Sequence, residues 1–161
     1  MKTLQDLFEH EIKDLYSAEK QLVEALPNMV KAASDQKLQK AFSDHLEETK
    51  EQYNRIHDIC EELDINPTST KCKAMEGLIK ECDGMVKEDA DADVKDAGLI
   101  ACAQRVEHYE ISGYGTAVRF AKQLGHDSIA KKLQQTLDQE YKADQHMDDL
   151  AQGRLNKEAM A

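Results

Sequence analysis

The sequence predicts an all-α protein, a bundle of four long helices paired as two antiparallel hairpins, with one extra short helix in the connection between them. Three observations carry this. Ala, Leu, Lys, Glu and Gln abound while Gly (7) and Pro (2) are scarce, a composition of helix formers rather than strands or loops. Apolar residues recur at steps of three and four, with no sustained alternation of the strand kind. Two of the three connections between the long stripes are tight turns, and the third is long.

Leu4, Phe8, Ile12, Leu15, Leu22, Leu26, Met29 and Ala33 mark a first helix over about residues 3–33. The one gap in that stripe, between Leu15 and Leu22, is where Glu19 falls. Pro27 sits inside the pattern, so a kink is expected there rather than a stop. Ser34-Asp35 offers an N-cap for a second helix over about 35–64, with stripe Leu38, Phe42, His45, Thr49, Gln52 or Tyr53, Ile56, Ile59, Leu63. Asp64-Ile65-Asn66-Pro67-Thr68-Ser69-Thr70 is a break. A short amphipathic helix follows over about 71–87, and then a second break over the acidic, Ala-rich stretch from Glu88 to Asp93.

Asp93 is the expected cap of the third long helix, about 93–124, with stripe Ala97, Ile100, Ala103, Glu107, Glu110, Tyr114, Ala117, Ala121, Leu124. Gly125 reads as the residue just past its end. Asp127 is the expected cap of the fourth, about 127–153, whose stripe is Ile129, Leu133, Thr136 or Leu137, Glu140, Asp144, Met147, Leu150 and which should fray after Gly153. The tight turns near residues 34 and 125 make two antiparallel hairpins. The middle connection is long enough to carry the chain from one end of the bundle to the other. Two hairpins joined by one long crossover are the ferritin-like arrangement, here in a single domain over 1–161.

A net charge of -11 repels phosphate backbones and argues against a nucleic-acid partner. No apolar run approaches a membrane span, and the polar N-terminus lacks a signal-peptide core. A cytoplasmic protein without a membrane partner is expected. Cys60, Cys72, Cys82 and Cys102 read as reduced thiols on helical faces, spaced too loosely for a zinc site.

The informative residues are the polar ones inside the stripes. The first helix carries Glu19, the second His45 and Glu48 with Gln52 a turn further on, the third Glu107 and Glu110, the fourth Glu140 and Asp144. Residues three or four apart share a helix face. Glu19 and Glu48 lie almost symmetrically about the turn near residue 34, as do Glu107 with Asp144, and Glu110 with Glu140, about Gly125. At a rise of about 1.5 Å per residue, members of each pair fall at nearly one height. Buried carboxylates are costly unless neutralised, so these seven residues predict a shared metal site. An oxygen-rich shell with one histidine suits Fe or Mn, as one or two ions, better than copper or thiolate-bound zinc. His10, His57, His108, His126 and His146 fall off the cluster's face or height and read as surface residues. Tyr16, Tyr53 and Tyr114 lie nearby and read as semi-buried packing groups.

Leu15-Tyr16-Ser17-Ala18-Glu19-Lys20-Gln21-Leu22, His45-Leu46-Glu47-Glu48-Thr49, Ala74-Met75-Glu76-Gly77-Leu78-Ile79 and Val106-Glu107-His108-Tyr109-Glu110-Ile111 resemble the YciF/YciE family of bacterial stress proteins, on its YciF side, over almost the whole chain. That resemblance implies a ferritin-like fold, a homodimer, a di-metal carboxylate site and a link to general or osmotic stress. It brings no defined reaction. Against the wider ferritin and rubrerythrin pattern, Glu19 matches the first helix and Glu107-x-x-Glu110 the third. The second helix gives His45-x-x-Glu48, with the order reversed, and the fourth gives Glu140-x-x-x-Asp144 without histidine. These departures, and the lack of a four-cysteine iron module, argue against rubrerythrin-type peroxidase turnover. The expected roles are Glu48 and Glu140 as bridges, Glu19 with Glu107 or Glu110 as terminal ligands, and His45 and Asp144 as ligands or their hydrogen-bond partners. A reaction of a ferrous pair with oxygen or peroxide is one expectation. A non-catalytic interaction protein with hydrated carboxylates is the other.

Overall fold

A computed structural model describes residues 1–160. The architecture is all-α: α1 (Leu4–Ala32), α2 (Gln36–Glu62), α3 (Lys73–Lys87), α4 (Ala92–Gln123) and α5 (Asp127–Leu150), with no strand among the described residues. A single 3-10 turn, Pro67–Ser69, lies in the crossover. After α5 the chain passes through a π-helical turn, Ala151–Leu155, into a last helical turn, α6 (Asn156–Glu158). The tail therefore stays coiled where fraying after Gly153 was expected, and Ala151 and Leu155 bury their side chains in the core.

The helix ends follow local chemistry. Thr3 and Asp6 form a reciprocal capping box at the start of α1, which runs on through Pro27. Asp35 caps α2 by accepting from the Lys37 and Leu38 N–H groups, both at 2.9 Å. At the far end of α2, Ile65 N–H donates to the Cys60 carbonyl (2.8 Å) and Asp64 N–H to that of Glu61 (3.2 Å). Asp64 stands at φ +52°, a left-handed turn that a short polar side chain tolerates. The same two-bond closure ends α4, with His126 N–H on the Ala121 carbonyl and Gly125 N–H on that of Lys122. Gly125 sits at φ +79°, where a Cβ would be strained. Two expected caps move: α4 is preceded by Asp91 and α5 by His126, and neither makes a side-chain cap bond. Asp93 and Asp127 instead lie in the first turns, where their charge still meets the positive helix end.

α1 packs along α2 and α4 along α5, and the hairpins meet through α1 against α4 and α2 against α5. α3 lies in the crossover and covers α1 and α4. Gly113 brings α1 and α4 together, since a Cβ there would lie 2.9 Å from Leu15 Cδ2. The core divides in two. One apolar cluster, with Leu22, Leu26, Phe42, Met75, Leu99 and Met147, fills the end nearest the α1–α2 turn. The other, with Phe8, Ile12, Ile56, Ile59, Leu133 and Tyr114, fills the opposite end. A layer of buried polar side chains separates them. Among the described residues no helix is long and apolar enough to cross a membrane.

One tie fixes how the two hairpins meet. The carboxylate of Asp96, fully buried on α4, accepts from the Ser34 and Asp35 backbone N–H groups, both at 2.8 Å. It satisfies two backbone donors of the α1–α2 turn and so fastens that turn to α4. Asp96→Ala is expected to cost about 3 kcal/mol by urea denaturation, whereas Asp93→Ala, in the exposed first turn of the same helix, should cost less than about 1 kcal/mol.

Candidate metal centre

The polar layer is built by replacing one to three core positions on each long helix. On α1, Glu19 takes the place between Leu15 and Leu22 and is completely buried. On α2 the inward face reads His45, Thr49, Gln52, Ile56, all buried. α4 contributes Glu107 and Glu110, one turn apart, and α5 contributes Glu140. One ligand atom from each of His45, Glu107, Glu110 and Glu140 lies within 4.8 Å of the others. Glu19 faces the same layer, where Tyr114 donates to its Oε1 at 2.5 Å.

Few of these groups are satisfied within the chain. His45 Nε2 lies 3.1 Å from Glu107 Oε1, close enough for an ion pair but not aligned as a hydrogen bond. Both oxygens of Glu110 and of Glu140, Oε2 of Glu19 and of Glu107, both ring nitrogens of His45 and both amide atoms of Gln52 are buried without an aligned partner. Buried polar atoms are normally paired, so this concentration at one point is a cradle for something that accepts donor atoms. Ligand atoms of Glu107 and Glu140 lie in the same 4.8 Å cluster, where two ionised carboxylates repel each other. As two carboxylates they can only accept, so a direct bond between them would need one of them to keep a proton.

The electrostatics say which. Burial pushes the Glu140 carboxyl far above its usual range, and the charges of Glu110 and Glu107 push it further. Glu110 rises for the same reasons, burial first and then Glu19 and Glu107. Burial lifts Glu19 to about 8 even though the Tyr114 hydroxyl and the His45 charge pull it down. Glu107 behaves differently. Burial opposes its ionisation, but His45 beside it wins and holds the carboxyl below the ordinary value. Reciprocally, burial depresses His45 while Glu107 and Glu19 more than reverse that, so the imidazole is held charged. Without a cation, these shifts favour charge on Glu107 and His45 and protons on Glu19, Glu110 and Glu140.

Of the seven residues expected from the sequence, the structure brings Glu19, His45, Glu107, Glu110 and Glu140 into the layer and leaves two outside. Glu48 is half-buried and lines a surface groove between α2 and α5 with Asp44, Glu51 and Lys142. Asp144 is 22% exposed and lies 3.4 Å from His108, accepting from Gln104 Nε2 at 3.2 Å. Both are displaced by the same geometry. From His45 the inward line runs through Thr49 and Gln52, and from Glu140 it runs to Met147. A step of three or four therefore lands on the flank as readily as on the inward line.

Gln52, present in the stripe but not counted as a ligand, joins the site. Arg55, one turn on, was not read as part of it. Its Nη1 donates to Thr136 Oγ1 at 2.6 Å and Gln139 Oε1 at 2.9 Å, tying α2 to α5 and placing a positive charge that lowers Glu19 slightly. No local pattern reveals that reach across helices. His57, Asp58 and Glu61 form a second group of possible ligands, but all three are exposed.

Residues 3–160 match the profile of a family described as a domain of unknown function, DUF892. Protein YciF of Escherichia coli K12 is 47% identical over 160 residues, covering 99% of this chain and 96% of that protein. The crystal structure of that E. coli stress protein superposes with a TM-score of 0.93, covering 98% of this chain and 99% of the other. YcfI from Rhodopseudomonas palustris, described provisionally as a structural protein, is 40% identical with a TM-score of 0.88, over 92% and 94% of the two chains. A protein from Xanthomonas campestris pv. campestris shares the fold at 19% identity, with a TM-score of 0.75 over 98% and 95%.

An unpartnered buried acid is a stability cost that a purely structural core would not carry. Glu110→Met or Glu140→Met is therefore expected to stabilise the metal-free protein by about 1–3 kcal/mol, measured by calorimetry on chelator-treated protein. A lowered melting temperature in both variants would mean that these carboxyls hold the fold together as they stand.

Proposed function

The chain belongs to the DUF892 family and is a relative of E. coli YciF, and on that footing we propose that it is a stress-associated protein that binds Fe or Mn, as one or two ions, in its polar layer. The carrying observation is the set of buried donor atoms on Glu19, His45, Gln52, Glu107, Glu110 and Glu140 that have no aligned partner. Glu19, Glu107, Glu110 and Glu140 are the anionic ligands in this reading, and His45 is the nitrogen ligand. Gln52 is a neutral oxygen donor or a hydrogen-bond partner to a ligand. Four carboxylates match the charge of two divalent cations, and hard oxygen donors with one imidazole suit iron or manganese.

The residues around the ligands have definable tasks. Tyr114 holds one oxygen of Glu19 and thereby aims the other. Arg55 and Thr136 brace α2 against α5 at the same height. The apolar clusters above and below exclude water, which strengthens every electrostatic contact inside. Iron bound in such a layer would supply electrons for reduction of oxygen or peroxide. The homodimer implied by the family resemblance remains part of the proposal and is checked by light scattering.

A second reading has its own support. The layer can be electrically neutral without a cation, because Glu107 pairs with His45 and the other acids are held protonated. Together with the description of the R. palustris relative as a structural protein, this favours a non-catalytic role with an empty layer.

Reconstitution separates the two. Metal-stripped protein supplied with Fe(II) without oxygen, or with Mn(II), should retain at least one equivalent after desalting; less than one contradicts the proposal. At a hundredfold excess over Kd, binding adds about 2.7 kcal/mol, which raises the melting temperature of a chain this size by roughly 5–10 °C. Chelator should remove that gain, and a Glu110→Ala, Glu140→Ala double variant should show neither the gain nor the loss.

The pH dependence has a definite sign. Glu19, Glu110 and Glu140 have folded-state values raised above those of the unfolded chain. Their contribution to stability is therefore fully present below about pH 4.5 and is lost as pH rises, through about 8 for Glu19. A cation needs the same groups deprotonated and so binds better as pH rises. The gap in melting temperature between metal-loaded and metal-free protein should widen from pH 6 to pH 8, with protons released on binding at pH 7. A gap that narrows over that range would contradict this.

A further inference from the structure

We propose that the groove between α2 and α5 is the route by which divalent cations reach the buried layer, with Glu48 and Glu51 capturing the ion at the mouth and His45 receiving it. This rests on the metal-binding reading above and adds to it a path and the residues that make it.

The groove has a volume of about 390 Å³ and is lined on α2 by Asp44, His45, Glu47, Glu48 and Glu51, and on α5 by Lys142 and Met147 among others. Among the described residues, His45 is the one common to the groove and the buried cluster. Its ring is nearly inaccessible, yet neither nitrogen has an aligned partner. A ligand that borders the groove on one side and the carboxylates on the other is a natural point of transfer.

The acids along the mouth are not equivalent. Asp44 is held by Lys40 and Glu47 by Lys50, so their charges are already met. Glu48 and Glu51 make no ion pair or side-chain hydrogen bond among the described residues. They lie three residues apart, on one face of α2. Glu48 is also close enough for its charge to act on His45. Two free carboxylates at the mouth of the groove concentrate cations there, and an ion shed by them meets His45 next, which ligates it once the imidazole has given up its proton. Lys142 borders the same groove and works against that attraction.

Loading kinetics test the route separately from the site. Metal-stripped protein is mixed with Co(II), followed by its visible absorption, and the final stoichiometry is measured afterwards. A Glu48→Gln, Glu51→Gln variant should reach the wild-type stoichiometry but load roughly tenfold more slowly, and added salt should slow the wild type more than the variant. Lys142→Gln should load faster than wild type and serves as an independent check should the double variant fold poorly. Unchanged loading rates in these variants would overturn the proposal. So would a lower stoichiometry in the glutamine variant, which would make Glu48 or Glu51 a ligand rather than an entry group. Failure of the wild type itself to bind Co(II) would remove the underlying metal-binding reading.

Discussion

Several carboxyl groups held together in a dry layer cannot all be ionised, and this constraint organises the molecule. Glu19, Glu107, Glu110 and Glu140 are buried to within a per cent of completely, between apolar clusters that admit no bulk water to pay their hydration energy. Only protonation, an ion pair or a bound cation can settle such a layer. The chain offers the first two from its own groups: His45 favours the charge on Glu107, and burial favours protons on the rest. The third is the use to which the arrangement is suited. Because α1, α2, α4 and α5 all contribute, the height of the layer and the register of the two hairpins are one geometric fact.

The helices do not contribute equally. α1, α4 and α5 bring carboxyl groups, whereas α2 brings an imidazole and an amide, His45 and Gln52. The acidic groups thus converge from three sides, and the fourth side is the one that borders the groove. Met147, on α5, reaches both the groove and the apolar cluster. The layer is therefore sealed above and below by packing, and His45 borders the groove on the α2–α5 side. Asp96 and Arg55 serve the same geometry at a distance, one fastening the α1–α2 turn to α4 and the other bracing α2 on α5.

Much of this was legible in the sequence, and the failures share a cause. The stripes define the helices because every long helix has one inward face, and Gly125 marks the second hairpin because only a residue tolerant of positive φ closes that turn. Glu19, Glu107, Glu110 and Glu140 stand out because each interrupts an apolar stripe. Glu48 and Asp144 were placed with them by spacing alone, yet a residue turned a fraction of the circumference from the inward line ends on the flank. Asp91 and His126, which precede α4 and α5, make no side-chain cap bond, so capping chemistry pointed to Asp93 and Asp127 instead. Asp96 and Arg55 act across the fold, on the α1–α2 turn and on α5, and a helical pattern says nothing about partners so far away in the chain.

The central claim is that cations occupy the buried layer and are held there by groups from all four long helices. Anomalous diffraction at the iron and manganese absorption edges, from crystals of protein grown with those metals, tests it most directly. The account predicts one or two peaks enclosed by Glu19, His45, Glu107, Glu110 and Glu140. A layer without a peak, with metal found only at exposed groups such as His57, Asp58 and Glu61, would contradict it.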